Sequence, residues 1–89
     1  MKKGTILIIG NCDGNLNDIF IDGHCLDDDN PLYDEIGSLI GNYLKSLCYI
    51  DVPEVKSILL NAYSKRFNCI VLCTNGTFDV IKEDDDNGL

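Results

Sequence analysis

The dipeptide Asn75-Gly76 stands between two runs rich in β-branched residues, Ile70 to Thr74 and Thr77 to Ile81. A type I′ hairpin needs positive φ at both central residues, and Asn-Gly meets that need at the least steric cost. The two-residue turn also fixes the register: Thr74 faces Thr77, Cys73 faces Phe78, Val71 faces Val80 and Ile70 faces Ile81. Asn75-Gly76-Thr77 has the form of a glycosylation sequon as well, but no secretion signal precedes it, and the turn reading prevails.

Thr5 to Ile9 is a continuous aliphatic run bounded by Gly4 and Gly10, as expected of a central strand buried on both faces. With Met1-Lys2-Lys3 it imitates a signal peptide only superficially, because the apolar run stops at five residues, before Asn11 and Asp13. Asp18-Ile19-Phe20-Ile21-Asp22 predicts a second strand, and Gly23 to Asp29 an acidic loop. Asn30 as N-cap and Pro31 at N1 open a helix whose apolar positions, Leu32, Ile36, Leu39, Ile40, Tyr43, Leu44 and Leu47, recur at helical spacing. Gly37 and Gly41 leave a smooth stripe along it for a close-packed neighbour. Asp51 and Glu54 frame a capping box for a second helix, whose apolar face is Val55, Ile58, Leu59, Ala62 and Tyr63.

The order β-β-α-α-β-β predicts an α+β fold, a four-stranded, mainly antiparallel sheet with two helices on one face. Residues 1–89 form one domain in this reading, with a mobile acidic tail at 83–89. Leu7 or Ile8, Phe20, Ile36, Ile40, Leu44, Val55, Leu59, Val71 and Val80 are its expected core. Two adjacent helices cover one face of a sheet, yet the terminal hairpin is apolar on both: Ile70, Leu72 and Ile81 point one way, Val71, Cys73, Phe78 and Val80 the other. The expectation is a homodimer that buries Ile70, Leu72 and Ile81 between copies.

Five cysteines leave at least one without an intrachain partner, which points to reduced thiols and a cytoplasmic address. Cys48, Cys69 and Cys73 sit in apolar patterns that suit buried thiols. A mixed site from His24, Cys25, Cys12, Cys69 and Cys73 lacks the paired C-x2-C knuckles of structural zinc, so no metal is expected. Asp13 to Asp18 lacks the ligand spacing of a calcium loop and reads as an ordinary turn. Gly10-Asn11-Cys12-Asp13 is similar to one short motif of metallophosphoesterases; the likeness spans four residues, and the paired-His motifs of that family are absent from a chain with a single His. No nucleotide-binding glycine motif or nucleophile elbow occurs, and no cofactor is expected.

Charge is what sets the chain apart. It carries 15 acidic against 7 basic residues, a net charge of −8, and from Asn11 to Glu35 it has acids but no Lys or Arg. Such a field repels nucleic acid and anionic membranes and attracts basic surfaces. The expectation is a non-enzymatic acidic inhibitor or adaptor that meets the basic surface of a protein partner, such as a nucleic-acid-binding protein, through Asp22, Asp27, Asp28, Asp29, Asp34 and Glu35. Phages and mobile elements encode counter-defence proteins of this kind, including nucleic-acid mimics and anti-CRISPR-like inhibitors, and the abundance of Ile and Asn fits an AT-rich coding genome. A dimeric small-ligand or nucleotide-binding module using Gly10 to Asn17 is the first alternative, a metal-dependent enzyme the second.

Overall fold

Asn75 and Gly76 adopt φ angles of 53° and 76°, so the type I′ turn forms as the dipeptide requires. The computed structural model describes residues 3–83, with side chains from residue 4. The elements run β1 (Lys3–Gly10), β2 (Leu16–Ile21), β3 (His24–Cys25), α1 (Pro31–Ile40), α2 (Pro53–Tyr63), β4 (Phe67–Thr74) and β5 (Thr77–Glu83), with two single 3-10 turns, Gly41–Tyr43 and Ser46–Cys48, between the helices. The tail read as mobile lies outside the described residues apart from Glu83, which ends β5.

The fold is α+β, with a five-stranded mixed sheet ordered β3-β2-β1-β4-β5 and two helices. The four-strand reading misses β3, which a second type I′ turn creates: Asp22 and Gly23 take φ of 50° and 84°, and Ile21 pairs with His24. Asp-Gly carries the same turn chemistry as Asn-Gly. The strand beyond it is two residues long and polar, so no apolar alternation marks it. Three of its four pairings are antiparallel, in keeping with a mainly antiparallel sheet, and the fourth makes it mixed: β1 and β4 pair in parallel from Lys3↔Phe67 to Gly10↔Thr74. β4 begins with Phe67 opposite Lys3, the first residue of β1, and the two strands run in the same direction from there.

In the terminal hairpin Thr74↔Thr77, Cys73↔Phe78 and Val71↔Val80 pair as the turn dictates. A bulge between Ile70 and Val71 then places Ile70 opposite Lys82 instead of Ile81. Lys82 Nζ donates to the carbonyls of Ser64 at 2.6 Å and Phe67 at 3.2 Å, which ties β5 to the turn after α2.

One face of the sheet is closed by the helices. Ile6, Ile8, Ile19, Ile70 and Leu72 are buried against Leu32, Ile36 and Ile40 of α1 and Val55, Leu59 and Tyr63 of α2. Phe20, Val71 and Val80, expected in this core, lie on the opposite face: Phe20 and Val71 are partly exposed and Val80 is 52% exposed. Strand residues alternate between faces, and inside Asp18-to-Asp22 the pleat turns Ile19 inward, with Ile21 packed on the same core, and Phe20 outward.

Asn30 caps α1 as expected, its side chain accepting from Leu32 N at 2.9 Å. The helix ends at Ile40 rather than Leu47, and the chain continues through the 3-10 turns while still burying Leu44. The cap of α2 differs from its sequence signature: Val52 occupies the N-cap position with no side-chain bond, and Asp51 lies 3.9 Å from Lys56 instead. A Cβ at Gly37 or Gly41 would meet nothing within 4 Å, so the expected close packing along this stripe does not occur.

Cys12, in the β1–β2 loop, and Cys48, in the second 3-10 turn, form a disulfide with Cα atoms 5.6 Å apart. Cys48 is therefore not the free buried thiol that its apolar context suggests. Cys25, Cys69 and Cys73 are free. The bridge fastens the inter-helix segment to the end of β1, and closing a loop of 36 residues is worth ~4 kcal/mol in the chain-entropy account.

Candidate functional site

The acidic residues gather where β3 hands over to α1. Asp27, Asp28 and Asp29 are exposed in the connecting turn, and Asp34 is exposed on the first turn of the helix. Among the described residues none of these four has an ion-pair partner. Their field is felt nearby. Desolvation by its neighbours, then the Asp18 carboxylate, with Asp28 and Asp27 behind it, holds the Cys25 thiol above its usual range. Asp18 thus belongs to this end of the molecule, although it is not among the six acids expected to meet the partner. Its link to Cys25 passes through strand pairing and could be drawn only with β3 in view.

The other two expected contact residues do different work. Asp22 sits in the β2–β3 turn, where its Oδ1 accepts the Thr5 amide at 2.8 Å and helps hold the start of β1. Glu35 is neutralised within the chain: its Oε1 accepts the Tyr63 hydroxyl at 3.0 Å and lies 3.3 Å from Arg66 Nη1. Arg66 in turn lies over the rings of Tyr63 at 5.3 Å and Phe67 at 6.0 Å. Lys56 lies 3.9 Å from both Asp51 and Asp79. Arg66, Lys56 and Lys82 thus pair with α1, the segment before α2, or the turn into β4 and β5, and the acids at the mouth of α1 remain uncompensated.

The loop after β1 is turned in on itself. Asn11 Oδ1 accepts the amides of Asp13 at 3.0 Å and Asn15 at 3.1 Å, and Asn11 Nδ2 donates to Asn17 Oδ1 at 3.0 Å. The backbone donors that would cradle a phosphate are occupied by the loop's own side chain. His24 and Cys25 are exposed on the edge strand, and Cys12 is committed to its disulfide. Among the described residues no three His, Cys, Asp or Glu side chains converge in a way that could hold a metal.

Among the described residues no helix lies on the second face of the sheet. Across it runs a row of strand partners, Cys25–Phe20–Leu7–Val71–Val80, and beside it a second row, Asp18–Ile9–Cys73–Phe78. Ile70 and Leu72, expected at a dimer interface, are on the other face and fully packed within the chain, and Ile81 packs against the same core. The residues this face has to offer are the intervening ones. At the tip of the β4–β5 hairpin, Tyr49, Ile50 and Phe78, 75%, 64% and 65% exposed, line a cavity of about 400 Å³ together with Lys56, Asp51 and Asp79.

No protein-family model matches the chain, and no curated protein or solved structure matches it.

Proposed function

We propose that the chain is a non-enzymatic protein-binding module, an inhibitor or adaptor whose acidic end engages the basic surface of a partner protein, of the sort that otherwise holds nucleic acid. The observation that carries this reading is the exposed trio Asp27, Asp28 and Asp29 with Asp34 behind it, none with an ion-pair partner among the described residues, on a chain of net charge −8. Carboxylates fixed by a hairpin on one side and a capped helix on the other keep their spacing without further loss of entropy on binding, whereas ordering a mobile residue costs about 1–2 kcal/mol. Long-range attraction raises the rate of encounter more than it lengthens the life of the complex. A phage or mobile-element counter-defence role belongs to this class of reading.

The test is kinetic. Partners captured on the immobilised chain at low salt and released at high salt are isolated, and their association rates compared between the wild type and Asp27→Asn/Asp28→Ser/Asp29→Asn. The variant should associate more slowly, with a flatter salt dependence. An unchanged rate would defeat the proposal.

A further inference from the structure

The cavity at the hairpin tip has two unlike sides. One, which includes Thr74, Asn75 and Phe78, belongs to the β4–β5 hairpin, where strand pairing and the type I′ turn hold it. The other is the continuous run Leu47 to Asp51, with Lys56 of α2 beside it. This run is anchored at its ends. Leu44 before it and Val52 after it are buried, while Lys45 to Asp51 are half-buried or exposed throughout. Its shortest hydrogen bonds, from the Tyr49 and Ile50 amides to the Ser46 carbonyl at 3.0 Å each, are internal to it. Toward the sheet it has the Thr74 hydroxyl, which donates to the Leu47 carbonyl at a long 3.4 Å, the partial burial of Leu47 against the core, and the bond from Cys48 to Cys12.

We infer that the Cys12–Cys48 bridge is a thiol-operated latch on this cavity. Closed, it holds Leu47 to Asp51 in place as a wall. Opened, it frees the run between its two buried ends while the sheet and the helices stay folded, and the cavity that Tyr49 and Ile50 share with Phe78 is lost. Thiol conditions thereby decide whether this largely apolar hollow is there to be occupied. The inference is independent of the acidic end, since Asp27, Asp28, Asp29 and Asp34 lie outside the cavity lining.

A thiolate opens a disulfide by attacking one of its sulfurs, so access separates a labile bridge from an inert one. Cys12 and Cys48 are both half-buried rather than buried, and both lie outside the α-helices and strands. The reductant is a small-molecule thiol of the glutathione class. Its thiolate bonds to one sulfur of the bridge, and the other cysteine leaves as a thiolate and takes up a proton. A second thiol of the same kind then displaces the remaining cysteine from the mixed disulfide. The bridge gains two electrons and two protons, and two small-molecule thiols become one disulfide. Once the bond is gone, the conformational entropy of the run is opposed at the sheet by a long hydrogen bond and the partial burial of Leu47.

The test exposes the isotope-labelled full chain to increasing concentrations of reduced glutathione. Samples are denatured, alkylated and weighed: three labels mark a closed bridge, five an open one. The opening rate should rise in proportion to thiol concentration, as direct attack on the folded chain requires. A rate that ignores thiol concentration, or a bridge that stays closed, overturns the inference. With the bridge open, backbone order parameters of residues 45–51 should fall from about 0.85 to below about 0.6. The amides of Asn75 and Phe78 should shift, and those of α1 and of Ile6 to Ile8 should keep their positions. Cys12→Ser/Cys48→Ser should show the same loss of order and no response to thiol; order retained in this variant would trace the change to another cysteine and overturn the latch. So would a reduced chain whose spectrum differs only beside Cys12 and Cys48, which leaves the bridge acting on the unfolded chain alone, or one that unfolds altogether, which makes the bridge part of the scaffold.

Discussion

Leu7 and Ile8 are neighbours on one strand and nearly equal in hydrophobicity, yet Ile8 is fully buried and Leu7 is not. The same split runs through the sheet: Ile19 and Leu72 face the helices, while Phe20 and Val71 face outward. Apolar composition therefore does not mark the core of this protein. The helices do, and they close only the face to which the chain returns between β3 and β4. The covered face holds the fold together, and the open face is apolar surface that stability alone does not account for.

The largest effect should come from releasing the helical layer. Cys12→Ser/Cys48→Ser frees the inter-helix segment from the end of β1, and the expected loss is ~4 kcal/mol in chemical denaturation. If the double variant is as stable as the wild type, the bridge does not hold the covered face together. Next comes the contrast between the faces themselves. Ile8→Ala opens a cavity under both helices and should cost about 3 kcal/mol, near the middle of the range for such truncations. Leu7→Ala, on the open face, should cost less than about 1.5 kcal/mol, because water already reaches its side chain. Equal losses would mean that something covers Leu7 as completely as the helices cover Ile8.

How much of this was legible depended on local chemistry. Asn75-Gly76 specified its turn and the first four pairs of its hairpin, because two residues of positive φ leave the strands no other register. It could not specify the bulge after Val71, whose result is the pairing of Ile70 with Lys82. Asn30 and Pro31 announced α1 because cap and first turn act within a few residues. Asp51 and Glu54 offered an equally good cap for α2, but Asp51 meets Lys56 instead. The inward choice between Ile19 and Phe20, the parallel pairing of β1 with β4, and the bond between Cys12 and Cys48 are all long-range, and no local pattern encodes them. At the acidic end, the exposure of Asp27 to Asp29 followed from their charge. The pairing of Glu35 with Tyr63 and Arg66 arises from the return of α2 and was invisible before it.

That cluster sharpens the comparison from the covered side. Tyr63 is fully buried and donates to Glu35. Burial first, then the hydrogen bond and the charge of Glu35, raise its hydroxyl pKa far above the ordinary 10, against a smaller lowering by Arg66. A pKa raised in the folded state means that the contribution is whole below the unfolded value and is lost as pH rises. Stability should therefore hold up to about pH 10 and fall above it. Tyr63→Phe should lose about 1–2 kcal/mol at neutral pH and much of that alkaline slope, as read from melting temperatures across the range. A variant with the wild-type slope would assign alkaline sensitivity to other groups.

The smallest effect on stability is expected at the acidic end, and its smallness is what would separate binding surface from scaffold. Asp27, Asp28 and Asp29 precede the N-cap Asn30, where a carboxylate gains roughly 0.3–1 kcal/mol from the helix dipole at low ionic strength. The three charges also repel one another at close spacing, and replacing them relieves that repulsion. The two terms oppose each other, and salt screens both. Asp27→Asn/Asp28→Ser/Asp29→Asn should thus change unfolding free energy by no more than about 0.5 kcal/mol, with a still smaller difference at high salt. Denaturation at two salt concentrations reads this directly. A loss of several kcal/mol would make the trio part of the scaffold that supports α1. It would also undercut the kinetic test of the acidic end, since slower association by a destabilised variant would no longer report on charge.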